Sequence, residues 1–198
     1  MTDTREGDAA TTTISTRRGL LGASLAGTAL SLIAGRSTSA TVEPRVSDAD
    51  LALLAFAQSL ELSARDLYAA ARAAGADDPF FGVLADQHEA YAQGIASFTG
   101  EPADTRDDEV YDDLQAAFAV ADRNTVATAG YDLESVAVAT HTALLARLAN
   151  IDAAKLIASM LAMEARHCAV LADLSGRGDD LNVLLVNTAD PILPAESS

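Results

Sequence analysis

The chain has 198 residues with 13 basic and 29 acidic side chains, a formal charge of −16. That length suits one domain with accessory segments and is ample for a buried core. So acidic a chain argues against nucleic acid and anionic membrane surfaces as partners, and a single cysteine, Cys168, excludes an internal disulfide. Hydrophobic residues make up 49 % of the chain, with alanine foremost among them, which favours helix over sheet.

Residues 15–40, STRRGLLGASLAGTALSLIAGRSTSA, have the three parts of an export signal. Arg17 and Arg18 form the charged start, Gly19 to Gly35 is mildly apolar, and Thr38-Ser39-Ala40 ends in small residues. Thr16-Arg17-Arg18-Gly19-Leu20-Leu21 resembles a twin-arginine signal. This reading makes 1–40 a signal peptide cleaved after Ala40, followed by a linker at 41–47. It implies a periplasmic, cell-wall-associated or secreted location, with no stable membrane insertion once the signal is gone. The alternative is a permanent anchor, for which the apolar run is short and weakly hydrophobic.

A first helix is predicted from about Ser47 to Ala74, capped by Ser47 or Asp48 and stopped by Gly75. Its inner seam reads Leu54, Ala57, Glu61, Ala64, Tyr68, Ala71, with Gln58 on the other side. A second runs from Pro79, a favoured first-turn residue, to Phe98. Its seam is Phe81, Leu84, His88, Tyr91, Ile95, Phe98, so His88 and not Glu89 faces inward. Residues 100–125 form a polar connection holding a short amphipathic helix near Asp108 to Asp122. A third long helix is expected from about Tyr131 to Ala149, with an earlier start open despite Gly130, and with Glu134, Val138, His141, Leu145 and Leu148 inside. Asn150-Ile151-Asp152 makes a corner, with Asp152 as cap. The fourth long helix ends at Gly176 and turns Ile157, Met160, Glu164, His167, Leu171 and Leu174 inward. Residues 177–198 form a tail along the surface.

Each seam is apolar except near its middle. A buried carboxylate costs several kcal/mol unless it is paired or metal-bound. Three of them, Glu61, Glu134 and Glu164, occupy seams of three different helices. At about 1.5 Å per residue, the polar seam residues lie at matching distances from the corners and are expected to meet in one layer.

The arrangement resembles the ferritin-like superfamily, in particular the exported bacterial ferritin-like domain proteins. The likeness is carried by LE at 60–61 with Tyr68, QHEAYA at 87–92, LESVAVATH at 133–141 and MEARH at 163–167. It implies an all-α fold over 48–176, a ferritin-like four-helix bundle with a long crossover between helices two and three. Ferritin-like dimetal sites take one Glu from each of two helices and a Glu-x-x-His pair from each of the others. Carried over, Glu61 and Glu134 are the single carboxylates, and Glu164 with His167 is one pair. The other pair departs from the pattern, with His88 for Glu and Tyr91 for His. The resemblance thus gives Glu61, His88, Glu134, Glu164 and His167 as metal ligands, with Tyr68, Tyr91 and His141 around them.

Three carboxylates leave two divalent ions under-neutralised. A weak site, a single ion and a site without metal all stay open. Oxygen and nitrogen donors suit iron or manganese, and the function implied is an exported metal-binding protein with oxidase or peroxide chemistry, a metal-dependent oxidoreductase if it is an enzyme. The competing reading is a metal-free bundle whose polar layer fixes helix register while its surface binds a partner. No nucleophile, phosphate-loop or zinc spacing is visible, so catalytic residues, substrate and any oligomer stay open.

Overall fold

A computed structural model describes residues 46–194; the signal-like segment at 1–40 lies outside them. The described residues form helices and no strands. In chain order these are α1 Asp48–Ala73, α2 Pro79–Thr99, α3 Asp108–Phe118, α4 Arg123–Leu145, α5 Ile151–Leu174 and α6 Leu181–Leu185. The four long helices make an all-α bundle, and none is long and apolar enough to cross a membrane.

Side chains close the exposed N–H groups at the start of each long helix. Ser47 accepts from the Asp50 N–H, Asp78 from Phe80, Asp122 from Thr125, and Asn150 from both Asp152 and Ala153. Gly75 and Gly176 follow α1 and α5 at φ 92° and 77°, a left-handed conformation that stops a helix and suits only glycine well.

α1 runs antiparallel to α2: Gln58 Nε2 donates to the Ala92 carbonyl, and Arg65 pairs with Glu89. α4 runs antiparallel to α5, with His141 beside Glu164 and Ser135 beside Cys168. The pairs join where α1 meets α4 and α2 meets α5. Asp50 accepts from the Ala149 and Asn150 N–H groups at 2.9 Å each, tying the start of α1 to the corner between α4 and α5. On the other seam, Gly94 lies against Leu156 and Met160.

The crossover from α2 to α4 is fastened to α1. Asp107 N–H donates to the Ser59 carbonyl, Ser63 Oγ donates to the Asp107 carbonyl, and Arg106 reaches Asp66 while stacking on Tyr111. The length of this connection lets α2 and α4 run parallel. The core has two apolar clusters, one around Leu67, Phe81, Leu84, Phe118 and Leu171, the other around Leu54, Ile95, Leu144, Ile157 and Met160. Each such side chain contributes about 1.5–3 kcal/mol when fully buried. The polar seam residues lie between the clusters.

Several boundaries differ from the sequence reading. α4 begins at Arg123, the earlier of the starts the sequence left open, because Asp122 caps it and Gly130 is accommodated inside it. A Cβ at Gly130 would sit 3.0 Å from the Tyr68 hydroxyl and 3.2 Å from Leu171 Cδ2. The glycine costs about 1 kcal/mol of helix propensity and makes room for the Tyr68 ring. α4 stops at Leu145 rather than Ala149, α3 ends at Phe118 rather than Asp122, and Asn150 rather than Asp152 caps α5. Gln58, expected outside, is buried because its amide reaches the α2 backbone. The tail contains α6 and then runs along α4: Tyr131 donates to the Val183 carbonyl, Asn187 to the Ser135 carbonyl, and the Ile192 N–H to Thr140 Oγ1.

Candidate metal centre

Glu61, His88, Glu134, His141, Glu164 and His167 are all buried in the bundle interior. α1 supplies Glu61 and α2 His88; α4 supplies Glu134 and His141, which lie two turns apart; α5 supplies Glu164 and His167 on one face. The helices deliver them as the seams predicted, with two adjustments. His141, expected beside the ligands, belongs to the cluster itself, with Nδ1 2.8 Å from Glu164 Oε2 and Nε2 3.3 Å from Glu61 Oε1. The polar groups also meet from two levels and not one. Glu61 faces His141 at one level, Tyr68 faces Glu134 two helical turns further along, and the long side chains reach between.

Among the described residues, two groups of three have ligand atoms within 4.8 Å of one another: His88, Glu134 and His167, and Glu61, His141 and Glu164. His88 spans the groups. Its Nδ1 lies 2.7 Å from Glu61 Oε2 and its Nε2 3.0 Å from Glu134 Oε1. Tyr68 donates to Glu134 Oε1 at 2.8 Å, and His167 Nδ1 lies 3.1 Å from Glu134 Oε2. The other nitrogen of His167 bonds Gln87 Oε1. Gln87 flanks the seam of α2 and gave no sign in the sequence beyond its place beside His88.

The protonation chemistry follows from this crowding. Burial pulls the His88 pKa down, but the charges and hydrogen bonds of Glu134 and Glu61 outweigh it and hold it well above 6.5. His141 behaves alike: burial lowers it, Glu164 and Glu61 raise it, and it settles at about 9. Burial would raise Glu134, yet His88 and His167 bring it down to about 2. For Glu164 burial wins and, with Glu61 and Glu134 near, lifts it to about 7 despite His141. Tyr68 stays a phenol because burial and the Glu134 charge push its pKa well above 10. Burial also pushes the Cys168 thiol up to about 12, so it stands beside Ser135 as a protonated, unreactive residue.

The donor set fits a metal. Carboxylate oxygens and imidazole nitrogens are the ligand types divalent first-row metals take, and two buried ligand atoms, His141 Nε2 and Glu164 Oε1, have no aligned hydrogen-bond partner in the protein. Such unsatisfied groups are rare in native interiors and call for an explanation.

A four-helix bundle carrying buried glutamates and histidines from all four long helices defines the class of carboxylate–histidine bundle proteins. The family model described as the ferritin-like domain matches residues 49–177, so the chain belongs to the ferritin-like domain family. No curated protein and no solved structure gave a match.

Proposed function

We propose that this protein is an exported metal-binding member of the ferritin-like family that holds iron or manganese in the cluster of Glu61, His88, Glu134, His141, Glu164 and His167. The observation that carries the reading is the pair of three-residue groups with ligand atoms within 4.8 Å. Glu61, Glu134 and Glu164 supply negative charge and the histidines neutral nitrogen donors. When bound, iron or manganese supplies one-electron chemistry toward dioxygen or peroxide.

The chain's own groups prepare that chemistry. Tyr68 donates to Glu134 Oε1 and orients that carboxylate, while Gln87 fixes the His167 ring. In the metal-free protein burial lifts Glu164 to about 7, and an ion bound there displaces its proton and holds it as carboxylate. Export is supported by the arginine pair Arg17 and Arg18 ahead of the apolar run, and the twin-arginine route carries proteins already folded.

One observation favours a metal-free structural reading: three histidines face three glutamates, and the raised pKa values of His88 and His141 let them offset carboxylate charge in the layer without an ion. Elemental analysis of protein purified without chelator separates the two. Iron or manganese at one or two equivalents per chain supports the metal reading. A metal-free preparation that also binds neither ion on addition overturns it.

A further inference from the structure

The two groups of three are not equivalent. Around Glu134, every ligand atom is occupied within the protein. Glu134 Oε1 accepts from Tyr68 and meets His88 Nε2, Oε2 meets His167 Nδ1, and His167 Nε2 bonds Gln87. Around Glu61 the balance is different. Glu164 Oε1, His141 Nε2 and the Tyr91 hydroxyl are all buried and have no hydrogen-bond partner. His141 Nε2 is 3.3 Å from Glu61 Oε1 but off the line of a hydrogen bond.

The sequence repeat explains the difference. Leu60-Glu61 followed seven residues on by Tyr68 corresponds to Leu133-Glu134 followed by His141, and His88 and Tyr91 correspond to Glu164 and His167. In the Glu134 half, Tyr68 and His88 fill the carboxylate's hydrogen bonds. In the Glu61 half, their counterparts His141 and Glu164 are better ligands than donors, and Tyr91 stands where the other half has His167. Burial raises the Tyr91 pKa, and the charges of Glu61, Glu164 and Glu134 add to it.

A cavity of about 30 Å³ lies beside Glu61 and His141. It reaches Glu61, His88 and His141 past Leu133, Val136 and the tail residue Ile192, while Glu134, His167, Glu164 and Tyr91 are not on its wall. That volume admits one or two water-sized molecules. Its apolar lining offers such molecules few polar partners other than the cluster itself.

We infer that the protein binds one divalent ion, in the half formed by Glu61, His141 and Glu164, where two buried ligand atoms lack protein partners and the cavity reaches the cluster from the Glu61 and His141 side. The Glu134, His88 and His167 half is a closed hydrogen-bonded network that supports the site without coordinating. This rests on the metal-binding reading above and narrows it from six candidate ligands to three.

Calorimetric titration of the chelator-stripped protein with Mn²⁺, together with electron paramagnetic resonance of the loaded protein, tests the inference. One equivalent and the spectrum of an isolated ion are expected. His141→Gln and Glu164→Gln should each weaken binding at least tenfold, and His167→Gln should keep one equivalent with affinity within about threefold, a change under 1 kcal/mol. Circular dichroism establishes that each variant is folded, and the wild-type stoichiometry decides the matter without any variant. Two equivalents with exchange-coupled spins, or loss of binding in folded His167→Gln, overturns the single-ion site while leaving metal binding intact. No binding by the wild type overturns the metal reading and the inference with it.

Discussion

Replacing His88 by glutamate tests how the centre of the bundle is held together. The imidazole lies 2.7 Å from Glu61 Oε2 and 3.0 Å from Glu134 Oε1, with all three side chains buried. Without metal, His88→Glu removes the cation between two anions and adds a third carboxylate in its place. Breaking a buried pair by removing one partner costs about 3–5 kcal/mol. At about 2–4 °C per kcal/mol for a chain of this size, the variant should melt roughly 6–20 °C below wild type in chelator. The same change restores the fourth carboxylate of a ferritin-like dimetal site, so Mn²⁺ should then bind at two equivalents instead of one. An ion at a hundredfold excess over its dissociation constant returns about 2.7 kcal/mol, near half or more of the loss. Thermal melts of both proteins, with and without Mn²⁺, give the comparison directly. A variant that melts with wild type in chelator would refute the role of His88 as the cation between the two carboxylates. One that melts lower and ignores Mn²⁺ would leave the layer structural.

Asp50→Ala removes acceptors from two backbone N–H groups at the α4–α5 corner; at about 1.5–3 kcal/mol for a charged hydrogen bond, melting should fall by several degrees with Mn²⁺ affinity unchanged. The chelator-stripped protein should lose stability between pH 6.5 and about 9, because the folded state raises the His141 pKa and that contribution is complete only below the unfolded value. Glu134 works in the opposite sense: its stabilisation is complete above pH 4.5 and is lost as pH falls toward about 2. Denaturant midpoints across that range check both limbs, and a flat profile from 6.5 to 9 would contradict the His141 assignment. Replacing Arg17 and Arg18 together by lysine should leave the precursor inside the cell; unchanged export would end the twin-arginine reading.

The seams were legible because burying charge is expensive. Glu61, Glu134 and Glu164 interrupt apolar stripes where only a partner or an ion makes them tolerable, and that cost is visible in one dimension. What a neighbouring helix brings alongside is not. His141 lies two turns from Glu134 and looked distant along α4, yet antiparallel α1 sets it opposite Glu61. Gly130 left the start of α4 open in the sequence, because its role depends on the Tyr68 ring from another helix. Gln58 and Gln87 escaped notice for the same reason. Their long side chains sit at the edge of a seam, and whether they turn in depends on an acceptor or donor across the groove.

The packing of α1 on α2 and of α4 on α5 has a consequence for how the molecule assembles. Each pair is a helical hairpin closed by a short connection, the kind of local structure that forms early because little chain entropy is spent in bringing its sides together. Neither hairpin holds the centre by itself: Glu61 and His88 belong to the first, and Glu134, His141, Glu164 and His167 to the second. Until the hairpins dock, these six side chains remain hydrated and apart. Their dehydration therefore falls on the docking step, and Asp50 and Tyr68, which bridge the hairpins near opposite ends of that interface, become engaged only then.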